Sequence, residues 1–200
     1  MEFLVTMTTH VPAGTTEETV AEVRRREAAH SRDLAERGSL RRLWRPPLQP
    51  GEWRTLGLFA ADDPDELETV LASMPLRIWR TDEVMPLSPH PNDPALSGVG
   101  AGHEFLIAMT IAVPDGTPSS AVDDTMNREA QRARELASQG HLRRLWARAA
   151  EEPVRRTVGL WSARGPGEID SILESLPLSA WMTATTTELS PHPSDPATLK

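Results

Sequence analysis

The chain has 200 residues, 38% hydrophobic and 25% charged, the make-up of a folded globular protein with room for one or two domains. A net charge of −8 argues against a nucleic-acid partner, whose phosphates demand a basic surface, and no apolar run approaches the roughly 20 residues that span a membrane. Zero cysteines exclude disulfides, thiolate metal sites and a cysteine nucleophile; with no basic stretch leading into an apolar signal core, a cytoplasmic location is the expectation.

In chain order, EFLVTM (2–7) alternates apolar and polar residues and predicts a strand. VPAGTTEET then turns into a helix, with Thr15 and Glu18 at the spacing of a capping box. Gly38 stands where that helix would stop with a left-handed cap. LRRLW and RTLGLFA follow as strands. A second helix starts near Asp63-Pro64 and runs through DELETVLAS to the proline of MPL, and IWRTDEVMPL closes the series as a strand.

The whole series then returns at a constant offset of 102, without insertion: Glu2-Phe3-Leu4 as Glu104-Phe105-Leu106, and Arg54-Thr55 as Arg156-Thr157. RREAAHSRDLAERGSLRRLW comes back as NREAQRARELASQGHLRRLW, and LSPHP occurs at 87–91 and 189–193. A long period occurring twice means two domains, not a solenoid. In the second copy Thr117-Pro118 offers an N-cap followed by proline at the first helical position, and Gly140 takes the place of Gly38. The join, SPHPNDPALSGVGAGH, reads as an extended linker. The expected division is a first copy over 1–90, a linker over 91–102 and a second copy over 103–200. GVGAG at 98–102 precedes a strand and no helix, so it lacks the setting of a nucleotide-binding loop.

The order β-α-β-β-α-β is the ferredoxin-like split arrangement, and the expected class is α+β. Helices on one face of a small antiparallel sheet leave the other face apolar and in need of cover. Two copies in one chain supply that cover to each other, which predicts two tandem ferredoxin-like domains forming an intramolecular dimeric α+β barrel. Further assembly into a homo-oligomer of such pseudo-dimeric chains is compatible with this plan.

The first helix carries the most informative chemistry. Val20, Val23, Glu27, His30 and Leu34 fall on one face at helical spacing, and the second copy places Val122, Thr125, Glu129, Arg132 and Leu136 likewise. Each copy thus has a carboxylate on its apolar stripe, where burial disfavours the charge and makes a stronger base, suited to abstracting a proton beside a carbonyl. His30 adds a group that exchanges protons near neutral pH, which favours the first copy; Arg132 cannot, but can bind an anion. Arg42 and Arg144 lie on strands beside Trp44 and Trp146, placed to grip a substrate carboxylate or enolate through a guanidinium fork. Strand alternation turns either Arg41 or Arg42 inward, not both. The structural alternatives are ordinary helix-surface ion pairs for the glutamates and an exposed sheet edge for the arginines. The six histidines show no metal-binding spacing, so no metal site is expected. His90 and His192, in Pro-rich tails, read as packing arms, and Trp53, Trp79 and Trp181 as strand core.

EFLVTM…VP, REAAHSRDLAERGSLRRLWR, DELETVLASMPL and the closing HP, in that order and in both copies, resemble the muconolactone delta-isomerase family. The resemblance implies ferredoxin-like domains paired in a barrel, and a cofactor-free proton shift along an allylic lactone. It also implies that the glutamates of Arg26-Glu27 and Arg128-Glu129 are bases. Two departures stand out: Arg42 and Arg144 replace a histidine common in such isomerases, and Thr55-Leu56 and Thr157-Val158 replace an Asn-Tyr pair. Tyrosine is absent altogether. The expected function is therefore a cofactor-independent isomerase or cyclase-like enzyme acting on a small cyclic or polyene carbonyl compound. A non-catalytic small-molecule carrier and a purely structural assembly protein are the two rival readings. The structural reading requires filled cavities and both glutamates in salt bridges.

Overall fold

The computed structural model describes residues 1–96, 100–149 and 154–198. The chain divides into two compact units: Met1–Leu87 together with the stretch from Ser190 onward, and Ser88–Leu189.

The first unit is built from β1 (Glu2–Thr9), α1 (Glu17–Glu36), β2 (Leu40–Arg45), β3 (Arg54–Ala60), α2 (Pro64–Ser73) and β4, which begins at Arg80 and runs to Pro89. A short 3-10 turn, Pro75–Trp79, joins α2 to β4 and takes the Ile78-Trp79 pair that strand alternation assigned to β4. The strands run antiparallel in the order β4-β1-β3-β2. This is the ferredoxin-like order expected from the sequence.

The second unit repeats the plan with β5 (His103–Ile111), α3 (Ser119–Ser138), β6 (Leu142–Arg148), β7 (Arg155–Ala163), α4 (Pro166–Glu174) and β8 (Met182–Pro191), ordered β8-β5-β7-β6. The tails are exchanged. Ser190 and Pro191, the end of β8, pair with Arg45 and Trp44 in the first unit, and Ser88 and Pro89, the end of β4, pair with Ala147 and Trp146 in the second. The expected boundary near residue 90 thus falls slightly earlier, and the described part of the expected linker, 91–96, belongs to the second unit. Gly98 and its neighbours at 97–99, in the glycine-rich stretch, lie outside the described residues.

Local chemistry explains the helix ends. Thr16, one residue past the expected cap, accepts the Thr19 N–H at 3.2 Å, because the Thr15 hydroxyl donates instead to the Pro12 carbonyl. In the second unit the Thr117 hydroxyl likewise donates to Pro114, so α3 starts at Ser119 without a side-chain cap. Gly38 and Gly140 adopt φ of 77° and 82°, the left-handed stop that only glycine takes without strain.

Between helices and sheet, Phe3, Val5, Met7, Leu34, Leu43, Phe59 and Leu71 form the first core. Phe105, Ile107, Met109, Leu136, Leu145, Trp161 and Ile169 form the second. The alternate strand residues Leu4, Leu56 and Leu58 are buried as well. No described helix is long and apolar enough to cross a membrane.

Candidate active sites in the two units

In each unit the helix glutamate reaches a cavity between helix and sheet. The first, about 190 Å³, is lined by Glu27 and Ser31 of α1, Met7, Thr9, Leu43 and Thr55 of the sheet, and Arg80 at the start of β4. Glu27 Oε2 accepts the Leu76 N–H at 2.8 Å, and Arg80 Nη1 donates to Oε1 at 3.3 Å. Arg80 in turn lies 2.6 Å from Asp82, and both side chains are almost fully buried. Burial is the largest influence on Glu27 and lifts its carboxyl pKa above the ordinary range, while the Leu76 N–H, Arg80 and His30 pull it back. Arg24, stacked 5.1 Å over Trp53, and Arg45 complete a strongly cationic lining.

The second cavity is about 530 Å³. Its walls include Glu129, Met126 and Ala133 of α3, Met109, Ile111, Thr157 and Trp161 of the sheet, and Met182. Glu129 Oε2 accepts the Leu178 N–H at 3.1 Å, matching the anchor of Glu27. No arginine follows, because Met182 stands where the first unit has Arg80 and Ala184 where it has Asp82. Among the described residues Glu129 forms no ion pair. Burial again raises its pKa, opposed by the Leu178 N–H and by Arg132. Met126 and Ala147 replace Arg24 and Arg45, while Arg148, Arg155 and Arg156 line the larger second cavity.

Each cavity is walled by a tail. His192, Pro193 and Ser194 border the first, and His90, Pro91 and Asn92 the second. The motif His-Pro-x-Asp docks each one. Asp195, fully buried, takes a fork from Arg42, with Nη2 at 3.0 Å and Nε at 3.1 Å, and accepts the Leu43 N–H at 3.1 Å. Asp93 receives Arg144 Nε at 3.2 Å and the Leu145 N–H at 2.9 Å. Arg42 and Arg144 lie 4.7 Å over the rings of Trp44 and Trp146, which are buried beneath them. His192 Nδ1 accepts the Ser194 N–H at 3.1 Å, which requires a neutral ring, and burial lowers its pKa to about 4. His90 does the same with Asn92, its pKa also lowered by burial.

The structure thus brings Glu27 and Glu129 to cavities and places the other expected residues elsewhere. Arg42 and Arg144 are not exposed sheet-edge residues: the carboxylates they hold are the chain's own, Asp195 and Asp93, and neither they nor Trp44 and Trp146 line either of these two cavities. A register shift between Leu40 and Arg42 leaves Arg41 exposed and Arg42 buried. His30 Nε2 lies 2.8 Å from Ser73 Oγ, outside the first cavity's walls, and Arg132 is held by Glu135 and by Ser175 at the end of α4, outside the second cavity's walls. The residues that sequence reasoning passed over are Arg80, the aspartates Asp93 and Asp195 of the tails, and Trp161. Setting the copies side by side exposes the signal for two of them, since Arg80 becomes Met182 and Phe59 becomes Trp161.

Two ferredoxin-like units, each with a desolvated helix carboxylate on a cavity wall, define the fold and the site geometry. The family model for muconolactone delta-isomerase matches residues 1–93 and 103–195, and the chain belongs to that family. The muconolactone delta-isomerase of Acinetobacter baylyi is 30% identical over 92 residues, 46% of this chain and 93% of the relative. That of Cupriavidus pinatubonensis is 29% identical over 92 residues, 46% of this chain and 97% of the relative. Each match takes nearly a whole relative and under half of this chain, as a doubled domain requires. A heme-binding protein from Thermus thermophilus matches with a TM-score of 0.57 at 14% identity, covering 94% of this chain and 92% of its own; that likeness shows the fold alone.

Proposed function

We propose that the chain is a cofactor-independent isomerase, or a cyclase of the same chemistry, that moves a proton on a small lactone or other carbonyl compound. Glu129 is the principal base, and Glu27 serves a second, differently tuned site. The carboxylate lifts a proton from the carbon next to the carbonyl. The electron pair spreads into the enolate, and the same carboxyl returns the proton at the far end of the allylic system.

The observation that carries this reading is the setting of Glu129. It is a desolvated carboxylate on the wall of an open cavity, with Oε2 anchored by one backbone N–H and, among the described residues, no ion pair to an arginine. An anchored oxygen fixes the orientation, and desolvation brings the pKa toward working pH, where a base is most effective. The open cavity and the unpaired Glu129 count against the purely structural reading. The names of the relatives support a lactone as the first substrate to try. A binding-only role suits the first unit, where Arg80 already occupies Glu27.

Conversion of muconolactone and of uncharged unsaturated butenolides by the wild type, Glu27→Gln, Glu129→Gln and the double variant tests the proposal. Glu129→Gln is expected to lose about a hundredfold or more in rate, the range for removing a general base. Full activity in the double variant removes both glutamates from the mechanism.

A further inference from the structure

The first cavity holds more positive charge than its glutamate uses. Arg80 is committed to Glu27 and Asp82, and the other oxygen of Glu27 accepts the Leu76 N–H. Arg24 stands three residues before Glu27 on α1, yet its guanidinium lies over Trp53 at 5.1 Å. Neither Arg24 nor Arg45, at the end of β2, forms an ion pair among the described residues. Both are exposed, whereas Met7, Leu43, Met74 and Leu76 of the same lining are buried, so the cavity has a cationic mouth and an apolar floor. The two arginines also act on one spot. After burial itself, Arg45 and then Arg24 hold down the pKa of His192 on the cavity wall, opposed by Asp195, which Arg42 already grips. Like charges gathered at one rim repel each other, and their summed field draws an anion between them. The second unit carries Met126 and Ala147 at these positions, so the scaffold keeps its shape without the arginines.

We infer that the first cavity is a second ligand site, which binds a small organic monocarboxylate and releases it unchanged. The anionic head lies between Arg24 and Arg45, and the apolar body lies against Met7, Leu43 and Met74. At about 190 Å³ the cavity suits a body of one ring, since an enclosed apolar cavity of about 150 Å³ takes up benzene. Guanidinium groups meet a carboxylate through paired N–H donors, and the Trp53 ring beneath Arg24 fixes the plane of one of them. Glu27 is no base for such a ligand, because the Leu76 N–H and Arg80 already occupy its two oxygens. The inference rests on the reading of this cavity as a binding-only site and is independent of proton transfer at Glu129.

The test uses benzoate, with uncharged benzyl alcohol as its control, on the full chain as wild type, Arg24→Met, Arg45→Ala, the double variant and Glu129→Gln. The arginine substitutions install the second unit's own residues. Calorimetry at neutral pH is expected to show benzoate binding to wild type that weakens as salt is added. Each single arginine variant should bind it about five- to tenfold more weakly, the effect of one charge-assisted hydrogen bond at a partly exposed site. Benzyl alcohol should bind wild type and variants alike. In NMR the His192 ring protons, identified by their loss in His192→Asn, should shift with benzoate in wild type and not in the double variant. The inference is overturned if wild type fails to bind benzoate, if the arginine variants bind it as tightly as wild type, or if the His192 signals ignore it. Glu129→Gln keeps this inference apart from the proposed isomerisation, since it should bind benzoate as wild type does while proton transfer falls. A chain that binds benzoate in this way but isomerises nothing removes the base and leaves the anion site standing; an active chain that ignores benzoate removes the anion site alone.

Discussion

Glu27 Oε1 accepts a hydrogen bond from Arg80 Nη1 at 3.3 Å, and at Glu129 the corresponding partner is absent because Met182 replaces that arginine. One substitution between otherwise parallel copies separates a carboxylate held by a guanidinium from one held by a single backbone amide. The consequences can be measured.

Arg80 lowers the Glu27 pKa more than Asp82 raises it. Replacing both with the second unit's residues, Arg80→Met with Asp82→Ala, should therefore move the Glu27 titration to higher pH. A carboxyl-carbon NMR titration of glutamate-labelled protein checks this, and an unchanged or lower midpoint contradicts it.

Burial raises the Glu129 pKa, so the folded state favours the protonated form relative to the unfolded chain. That contribution is complete below the ordinary glutamate range and is lost as pH rises through the folded value. At neutral pH the carboxylate opposes folding, and Glu129→Gln should be the more stable protein while being the less active one. Thermal unfolding across the acid-to-neutral range should show the gap closing as pH falls. A variant destabilised at neutral pH would contradict the assignment of burial as the dominant influence.

The tails are held by Arg42–Asp195 and Arg144–Asp93. The first pair is the drier, with side chains 7% and 0% exposed against 19% and 14%. Removing one member of a buried pair strands the other, which costs about 3–5 kcal/mol. Arg42→Ala should approach that range in urea unfolding, and Arg144→Ala should fall clearly below it. Equal losses would contradict the burial argument.

His192 is neutral in the fold, with a pKa of about 4 against an ordinary value of 6.5. A group whose pKa is lowered by folding contributes stability that is present above its unfolded value and is lost as pH falls toward the folded one. The docked tail should therefore weaken between about pH 6.5 and 4. His192→Asn, which keeps an acceptor for the Ser194 N–H, should flatten that part of the stability profile in urea titrations. An identical profile in wild type and variant would remove His192 as the cause.

The fold was readable because its signals are local or periodic. Strand alternation, the 3.6-residue stripe of α1, the glycine stops at 38 and 140 and the offset of 102 each require only neighbouring residues or a comparison of the copies. Glu27 and Glu129 could be found the same way, as charged residues on an apolar stripe. The partners could not. Asp195 meets Arg42 across 153 residues, and Arg80 meets Glu27 across 53, and no local periodicity encodes such pairings. Arg42 and Arg144 therefore drew a substrate role from their chemistry alone, when their guanidinium groups hold the tails. The Pro-rich setting of His90 and His192 marks packing arms, but nothing local in it tells that the docked arm is also a cavity wall.

The most direct test of the account is solvent deuterium uptake into an isomerisable butenolide, followed by NMR for wild type, Glu27→Gln and Glu129→Gln. The account predicts enzyme-dependent exchange at the carbon beside the carbonyl, abolished or cut about a hundredfold in Glu129→Gln and reduced far less in Glu27→Gln. Exchange at the wild-type rate in Glu129→Gln would contradict it.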